Sequence, residues 1–418
     1  MDFEELAARY RQNLFESVIP FWERHSLDPV HGGQFNCLER DGQVFDTRKY
    51  VWMQGRAVWM FSRLYNTVER RPAWLAAARS ILDFLLAHGR APDGRFYFSV
   101  SREGLPVFIQ RKPYAAFFAA LALLEFAKTG ATGERAYFEL ALELAEDVER
   151  AIADPSLLGR PVLSGATPVR QLADIMVLAA LAIERIETSY ALGRNPQPLW
   201  FETLRQLLAQ VREHWLAEKK TLLENFPLDG SPYHASADTR LLCPGSALEV
   251  AWFLLHAIEL LDARCGENHR DAETFLYEVI AGTLEAGWDM EYGGLFYFLD
   301  ANGHPPLILE ADMKLWWPHT EAIYALLLAY TKTQDPKWLP WLERIDRYAF
   351  QTFVDREYGE WFAYCDRSGR PTHTLKAGPY KCFFHVPRCL LFSLKRLEKI
   401  PAKTSRGGPS SRPETNKN

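Results

Sequence analysis

The residues most capable of chemistry lie in two short motifs in the second half of the chain. The first is Lys314-Leu-Trp-Trp-Pro-His-Thr-Glu321, and the second, Phe-His-Val-Pro-Arg, contains His385 and Arg388. Trp316 and Trp317 offer flat apolar faces of the kind that pack against pyranose rings. His385 can transfer protons near neutral pH, and Arg388 follows three residues later on the same helical face. Adjacent tryptophans are more often core residues, but the ionisable groups beside these two predict the mouth of a sugar-processing site.

The overall composition limits the partners that this chain can have. Its 418 residues are 48% hydrophobic and 24% charged, which is typical of a globular protein with a large core. A net charge of −5 gives no reason to expect nucleic acid or an anionic membrane as a partner. Because the sequence shows neither a signal peptide nor a membrane-spanning apolar run, we expect a cytoplasmic protein with a small-molecule partner.

The six cysteines are scattered and form no CxxC pair. This spacing predicts reduced thiols rather than a disulfide framework or a zinc site. No HExxH or comparable ligand spacing occurs, so no metal is predicted.

A repeated segment organises the chain: an aromatic or apolar strand, a turn that ends in glycine, and a second short strand. The turn glycines are 62, 126, 73 and 66 residues apart, and the long gap equals about two periods, which indicates six copies of one module. Glycine favours such turns because it accepts a positive φ. The five segments are Phe35–Gly42, Phe96–Gly104, Leu222–Gly230, Leu295–Gly303 and Trp361–Gly369.

Apolar residues at three- and four-residue spacing predict twelve helices between these segments. They lie near residues 2–24, 50–67, 72–89, 113–129, 134–153, 170–189, 198–219, 245–263, 269–287, 317–333, 336–352 and 384–397. Six helix pairs favour an all-α (α/α)6 barrel with short β-hairpins in the inter-helix loops; a more open helical solenoid is the alternative. We expect one domain over residues 1–400 and a disordered polar tail over residues 401–418.

The first turns of the even-numbered helices carry most of the candidate site residues. Alternate helices of such a barrel begin at the same end, so these turns should converge on one mouth, where helix dipoles favour negative charge. The candidates on them include Trp52, Arg56, Ser246, Glu249, Trp317, Glu321 and His385.

The motifs, taken in order, resemble the N-acylglucosamine 2-epimerase family over nearly all of residues 3–397. The family implies an (α/α)6 barrel that interconverts N-acetylglucosamine and N-acetylmannosamine. It also implies a homodimer and ATP as an activator that is not consumed. The motifs that carry the resemblance are Lys49–Arg56, Leu158–Pro161, Pro244-Gly, Lys314–Ala322, Tyr358–Trp361 and Phe384–Arg388.

Inverting C2 of an N-acylhexosamine requires a base on one face of the carbon, an acid on the other, and cations for the oxyanion that forms at C1. The resemblance assigns His385 to proton transfer, Arg56 to the essential arginine and Arg388 to substrate contact. Glu321 and Glu249 would orient or assist, and Trp52, Trp316 and Trp317 would bind the sugar. Residues for the nucleotide stay unassigned, apart from a weak suggestion for the loop Gly159–Pro161.

One expected catalytic group is missing. Where the family usually has Asn-Pro-Gly-His, this chain has Cys243-Pro-Gly-Ser246, and serine is too weak an acid to replace imidazole unless a neighbouring base activates it. Alanines such as Ala115, Ala116 and Ala180 also stand where relatives carry polar groups. Two alternatives therefore stay open: a weakly catalytic sugar- or nucleotide-binding relative, and an aldose–ketose isomerase, for which one histidine suffices.

Two further interpretations follow from the same motifs. A glycosidase with two carboxylates is conceivable on this barrel, but the two histidine-containing motifs argue against it. His319 follows a proline at a predicted helix start, so we expect a capping or supporting role for it rather than catalysis.

Overall fold

Twelve long helices make up most of residues 1–159 and 163–400, the part of the chain that the computed structural model describes. The first, α1, continues from an α-helical part, Phe3–Gln12, through a π-helical part, Asn13–Val18, into a second α-helical part, Ile19–His25. In chain order, α2 to α12 are Val51–Thr67, Pro72–His88, Tyr114–Ala127, Glu134–Ala153, Leu172–Ala191, Pro198–Gln210, Pro244–Cys265, Arg270–Gly287, Trp316–Thr333, Leu339–Thr352 and His385–Leu397.

The even-numbered helices form an inner wall, and the odd-numbered helices cover it. Helix α4 is buried on nearly all sides, whereas α11 buries one face. Each inner helix packs against the next one along the chain, from α2 to α12. The ring closes where Trp59 of α2 meets Phe384 and Phe392, with ring centroids 5.4 and 6.2 Å apart. The chain therefore folds as the expected (α/α)6 barrel, and the open solenoid is wrong.

One predicted helix is too long. The segment predicted as helical over 198–219 ends its α-helix at Gln210, passes through one 3₁₀ turn, Val211–His214, and enters a strand, Trp215–Leu216. That strand pairs with Thr221–Leu222. The hydrogen bonds of this pairing satisfy backbone groups that a continued helix would otherwise have paired.

The repeated turn segments are confirmed as turns, but some of their strand partners were predicted wrongly. All five turn glycines have a positive φ, between 77° and 98°. Two segments form hairpins, Cys37–Leu38 with Val44–Asp46 and Ser99–Val100 with Pro106–Phe108. The described residues show no internal hairpin in Leu222–Gly230 or Leu295–Gly303, because a turn signal does not specify which strand pairs with it.

Strands of the repeated turn segments also pair with strands from other modules. In each of these pairs, one strand directly precedes an inner helix. This pairing fixes the first turn of each of these inner helices and so sets the barrel mouth. The pairs are Lys49–Tyr50 with Ser99–Val100, Val169–Gln171 with Asn225–Pro227, Leu241–Leu242 with Leu299–Asp300, and Lys314–Leu315 with Tyr364–Cys365.

A buried ionic cluster repeats in three modules. Each cluster joins an aspartate that follows an outer helix, a buried lysine that leads toward the next inner helix, and an arginine next to a turn of another module. In each case the carboxylate lies 2.8–3.0 Å from both cations. The clusters are Asp28 with Lys49 and Arg102, Asp289 with Lys314 and Arg367, and Asp355 with Lys376 and Arg40. The last one ties the final module to the first and so helps to close the ring.

The remaining expectations concern cysteines, membranes and the chain end. All six cysteines are unpaired, as predicted. Within residues 1–159 and 163–400, no helix is both long and apolar enough to cross a bilayer. The predicted disordered tail, 401–418, and residues 160–161 of the suggested nucleotide loop lie outside the described residues.

Candidate active site

A cavity of about 560 Å³ opens where the inner helices begin, a volume typical of small-molecule sites. The sequence-predicted residues Trp52, Arg56, Glu249, Trp316, Trp317 and His385 all line it. It also contains residues that the sequence analysis did not single out, namely Tyr297, Phe298, Ile308, Glu310, Met313, Leu315, Tyr364 and Tyr380. Glu321, Arg388 and Ser246 do not line this cavity, although each contacts or neighbours a residue that does.

His385 is the first residue of α12 and is held by Glu321. Its Nδ1 lies 2.8 Å from Oε1 of Glu321, and because a carboxylate only accepts, Nδ1 carries the proton. Arg388 also lies 3.3 Å from this nitrogen. Because Nδ1 carries a proton, it does not accept a hydrogen bond from the guanidinium. Burial, with the charges of Arg56 and Arg388, holds the pKa of His385 well below its usual value. The imidazole is thus neutral at pH 7, with its Nε2 lone pair available as a base.

Arg388 binds both active-site carboxylates from below the cavity. Its Nη2 donates to Glu249 at 2.6 Å and to Glu321 at 2.8 Å, while Trp252 donates its indole N–H to the other oxygen of Glu321 at 2.8 Å. The guanidinium faces a second, lower cavity of about 250 Å³ rather than the mouth. This position favours a role in orienting the carboxylates over a direct contact with sugar.

Glu249, Glu321 and His385 also place potential metal-ligand atoms within 4.8 Å of one another. The Nη2 atom of Arg388 is already bound to both carboxylates. A guanidinium there supplies the positive charge that a metal ion would otherwise bring. The two carboxylates are therefore already neutralised by Arg388, and we still predict a site without a metal ion.

Arg56 lies in the second turn of α2 and is oriented by aromatic rings. Its guanidinium carbon lies 4.6 Å from the Trp52 ring, 4.3 Å from Phe118 and 4.9 Å from Phe384. No carboxylate forms an ion pair with it in the described part of the chain, where its buried Nε also has no partner. An arginine at this position could simply pair with a buried carboxylate, but the described ion pairs do not support that role for Arg56. A cation held by stacking is available to an anionic intermediate.

Comparisons with known proteins agree with this geometry. The model of the family described as N-acylglucosamine 2-epimerase (GlcNAc 2-epimerase) matches residues 33–389. The chain belongs to the N-acylglucosamine 2-epimerase family. It is 40% identical to the N-acylglucosamine 2-epimerase of Mus musculus over 95% of this chain and 94% of that protein. It is 39% identical to that of Bos taurus, over 94% of each protein.

A solved structure of cellobiose 2-epimerase from Spirochaeta thermophila has the same fold. The two superpose with a TM-score of 0.78, covering 95% of this chain and 97% of the other, at 24% identity. At that identity the likeness concerns the (α/α)6 barrel alone.

The tryptophan platform of this epimerase-family chain depends on a glycine. A Cβ atom at Gly245 would lie 2.4 Å from the Trp317 ring, so only glycine lets Trp317 pack over the start of α8. The Trp317 and His385 ring centroids are 5.8 Å apart. Trp52 is fixed from the other side by a 3.0 Å hydrogen bond from its indole N–H to the carbonyl of Pro379. Apolar ring faces therefore flank the candidate base.

His319 has the supporting role predicted for it. Its Nε2 accepts a hydrogen bond of 2.9 Å from the backbone nitrogen of Leu295, and its Nδ1 donates to the carbonyl of Leu315 at 2.6 Å. Burial lowers the pKa of His319 to about 3. Both ring nitrogens are occupied, so His319 joins a turn segment to α10 and has no lone pair for catalysis.

Most of the aromatic wall and two carboxyl groups, Glu310 and Glu224, were not identified from the motifs. Phe298 and Tyr364 occupy equivalent places in two of the repeated turn segments, each five residues before the turn glycine, so the repeat itself could have located them. Glu224 lies in a third such segment, whose interpretation as a hairpin concealed the side chain.

Proposed function

We propose that this protein is a sugar 2-epimerase that interconverts N-acetylglucosamine and N-acetylmannosamine. The observation that carries the proposal is a histidine, His385, that lines an aromatic cavity together with the cation Arg56 and whose Nδ1, but not Nε2, is bonded to a carboxylate. The names of the 40%-identical relatives supply the substrate class.

The first chemical step is removal of the C2 proton from the open-chain sugar. His385 accepts this proton at Nε2 while Glu321, bonded to Nδ1, stabilises the imidazolium that forms. The C–H electron pair moves into the enolate of the C1 aldehyde. Burial of the site strengthens the contact between Glu321 and the imidazolium, because the surrounding dielectric is low.

Arg56 stabilises the enolate. Its guanidinium is fixed against three aromatic rings, so little reorganisation is needed as negative charge develops on the oxygen at C1. The rings of Trp316 and Trp317 contact the apolar face of the sugar. Glu249, bonded to Arg388, lines the cavity and orients sugar hydroxyls.

Product analysis tests the proposal. Incubation with N-acetylglucosamine, followed by proton NMR of the anomeric region, should show N-acetylmannosamine until equilibrium is reached. A panel of free hexoses run in parallel defines the substrate class. Turnover of plain hexoses combined with no turnover of either N-acetylhexosamine would refute the proposed substrate.

An aldose–ketose isomerase is the second candidate, because His385 is the only histidine among the residues that line the described mouth cavity. Moving a proton between C1 and C2 on one face needs a single base. Ketose formation from a hexose with a free 2-hydroxyl group would identify this activity and separate it from epimerisation.

A weakly catalytic binding relative is the third candidate, and it rests on Ser246. Tight sugar binding by calorimetry together with no turnover, and no gain from Ser246→His, would support it. Strong activity of the unmodified protein would exclude it.

Two proposals come from the family resemblance: activation by ATP and assembly as a homodimer. A cavity of about 320 Å³ carries several cations, among them the exposed Arg111, and reaches Leu158 beside the suggested nucleotide loop; this supports a polyanion site. Arg90 and Arg150 are partly neutralised there by Asp147. Rate measurements with and without a non-hydrolysable ATP analogue, and sedimentation of the protein, test these two proposals.

A further inference from the structure

Glu224 lies at the barrel mouth, across the ring from His385. Its backbone nitrogen donates to the carbonyl of Leu241, and its carbonyl accepts from the nitrogen of Leu172, each at 2.8 Å. Leu172 begins α6, and Leu241 belongs to the strand before α8, so Glu224 is held between the starts of these two helices. In a ring of six inner helices, α6 lies opposite α12, which begins with His385.

Ser246 lies beside the mouth cavity without lining it, because it follows Gly245, against which Trp317 of the cavity wall packs. Its hydroxyl interacts with the Glu224 carboxyl group and lowers the pKa of that group. Ser246 lies in the first turn of α8, three residues before Glu249 and on the same face, and Glu249 lines the mouth cavity. The second oxygen of Glu224, Oε2, is shielded from solvent and has no hydrogen-bond partner among the described residues. A buried carboxyl group with one free oxygen is suited to hold a proton.

The surroundings of Glu224 favour its protonated form. Burial raises the pKa of Glu224 to about 7; Asp174 raises it further, while Ser246 and Lys112 lower it. Cys243 and Tyr297 also face this carboxyl group, and burial raises the pKa of each of them, so both are neutral. Glu224 and His385 thus form a pair in which one group holds a proton near neutral pH and the other lacks one.

We propose that Glu224, acting through the hydroxyl of Ser246, is the second proton-transfer unit of the epimerase. This inference rests on the proposed function. His385 removes the C2 proton, and the C–H electron pair becomes part of the enolate. The Ser246 hydroxyl then gives its proton to the opposite face of C2 and takes the Glu224 proton onto its oxygen. The enolate pair forms the new C–H bond and the aldehyde returns. Glu224 is left as a carboxylate, and His385 is left protonated.

This assignment explains how the chain functions without the histidine expected at position 246. A serine hydroxyl alone is too weak an acid for the step, but a hydrogen-bonded carboxylic acid supplies the proton as the hydroxyl gives one up. In the reverse direction, the Glu224 carboxylate activates Ser246 as a base.

The variant Glu224→Gln tests the assignment. Glutamine keeps the size and a hydrogen bond to Ser246 but has no acidic proton. We expect epimerisation to fall about 10²–10⁴-fold, the usual cost of losing one acid–base group. In deuterated water, His385 should still exchange the C2 hydrogen of one of the two epimers. Exchange in one epimer without epimerisation is a result that simple structural damage would not produce.

Two further variants separate chemistry from folding. Ser246→Ala removes only a hydroxyl and should give the same one-sided exchange. Ser246→His in the Glu224→Gln background should restore most of the lost rate, because the imidazole then reaches C2 directly. Glu218→Gln, an exposed carboxylate six residues away that bonds Tyr233, is the matched control and should behave as the unmodified protein.

The outcomes distinguish this inference from the proposed function. An active unmodified protein whose Glu224→Gln and Ser246→Ala variants epimerise at nearly full rate would overturn the role of Glu224. Equal loss of exchange in both epimers would also overturn it. If the unmodified protein neither exchanges nor epimerises N-acetylhexosamines, the proposed function itself fails.

Discussion

The Nδ1 atom of His385 lies 2.8 Å from Oε1 of Glu321. The same oxygen accepts a 2.8 Å hydrogen bond from Arg388. One carboxylate oxygen therefore fixes the tautomer of the base and anchors the cation beneath it. The free Nε2 of His385, on which the proposed reaction depends, is a consequence of this contact.

Glu321→Gln should lower kcat about 10²–10⁴-fold with little change in KM. The amide can present its NH₂ group to Nδ1, which would favour the tautomer that carries the proton on Nε2 and would block the base. Steady-state kinetics measure the effect, and Glu343→Gln, a surface residue paired with Arg347, is the control. A kcat close to that of the unmodified protein would mean that Glu321 does not orient the base.

The pH profile should have an acid limb well below pH 6.5 and an alkaline limb near pH 7. The acid limb appears because His385, whose pKa is held low, becomes protonated there and stops acting as a base. The alkaline limb appears because Glu224 loses its proton above about pH 7. Measurements of kcat/KM across the range should show that Glu224→Gln removes the alkaline limb. An unchanged limb in that variant would contradict the assignment.

Gly245→Ala should raise KM more than it lowers kcat. The new methyl group would collide with the Trp317 ring, 2.4 Å away, and such overpacking typically costs about 1–3 kcal/mol. Displacing Trp317 damages the sugar platform but leaves the contact between His385 and Glu321 in place. Gly165→Ala, where no atom lies within 4 Å of the added carbon and φ is likewise not positive, is the matched control. Unchanged KM in Gly245→Ala would remove Trp317 from the binding site.

Asp355→Asn should destabilise the fold by about 3–5 kcal/mol, because it leaves the buried Lys376 without its ion-pair partner. Asp355 also bonds Arg40 and so links the last module to the first. The two cations hold the pKa of Asp355 below its usual range, so its stabilising effect should be lost as pH falls through that pKa. Denaturant unfolding measures the change, with Asp271→Asn as the exposed control. A loss no larger than that of the control would refute a role in ring closure.

The helices could be predicted from the sequence because apolar residues recur at helical spacing over long segments. Helix α10, predicted over 317–333, spans Trp316–Thr333. Strand partners could not be predicted in the same way, since the turn after Leu222 or Leu295 has a local signal whereas its partner strand lies far away in the chain. The error over 198–219 has a different cause. The strand after His214 pairs with the nearby Thr221–Leu222, and a short apolar run such as this one fits a helix as well as a strand.

Residues of the site could be predicted from the sequence more readily than the contacts between them. Helical spacing brought His385 and Arg388 to one face, but only the packed structure places Arg388 beneath the carboxylates of Glu249 and Glu321. Ser246 was visible as a departure from the family. Its partner Glu224 was not, because burial and distance along the chain decide which carboxyl group reaches that hydroxyl.

Deuterium incorporation at C2 is the decisive measurement for proton abstraction and return at that carbon. N-acetylmannosamine is incubated with the unmodified protein in deuterated water, and the sugars are analysed by NMR and mass spectrometry. We expect N-acetylglucosamine that carries solvent deuterium at C2, because the two proton-transfer groups exchange with solvent. Product that retains its original C2 hydrogen, or the absence of both product and exchange, would contradict this mechanism.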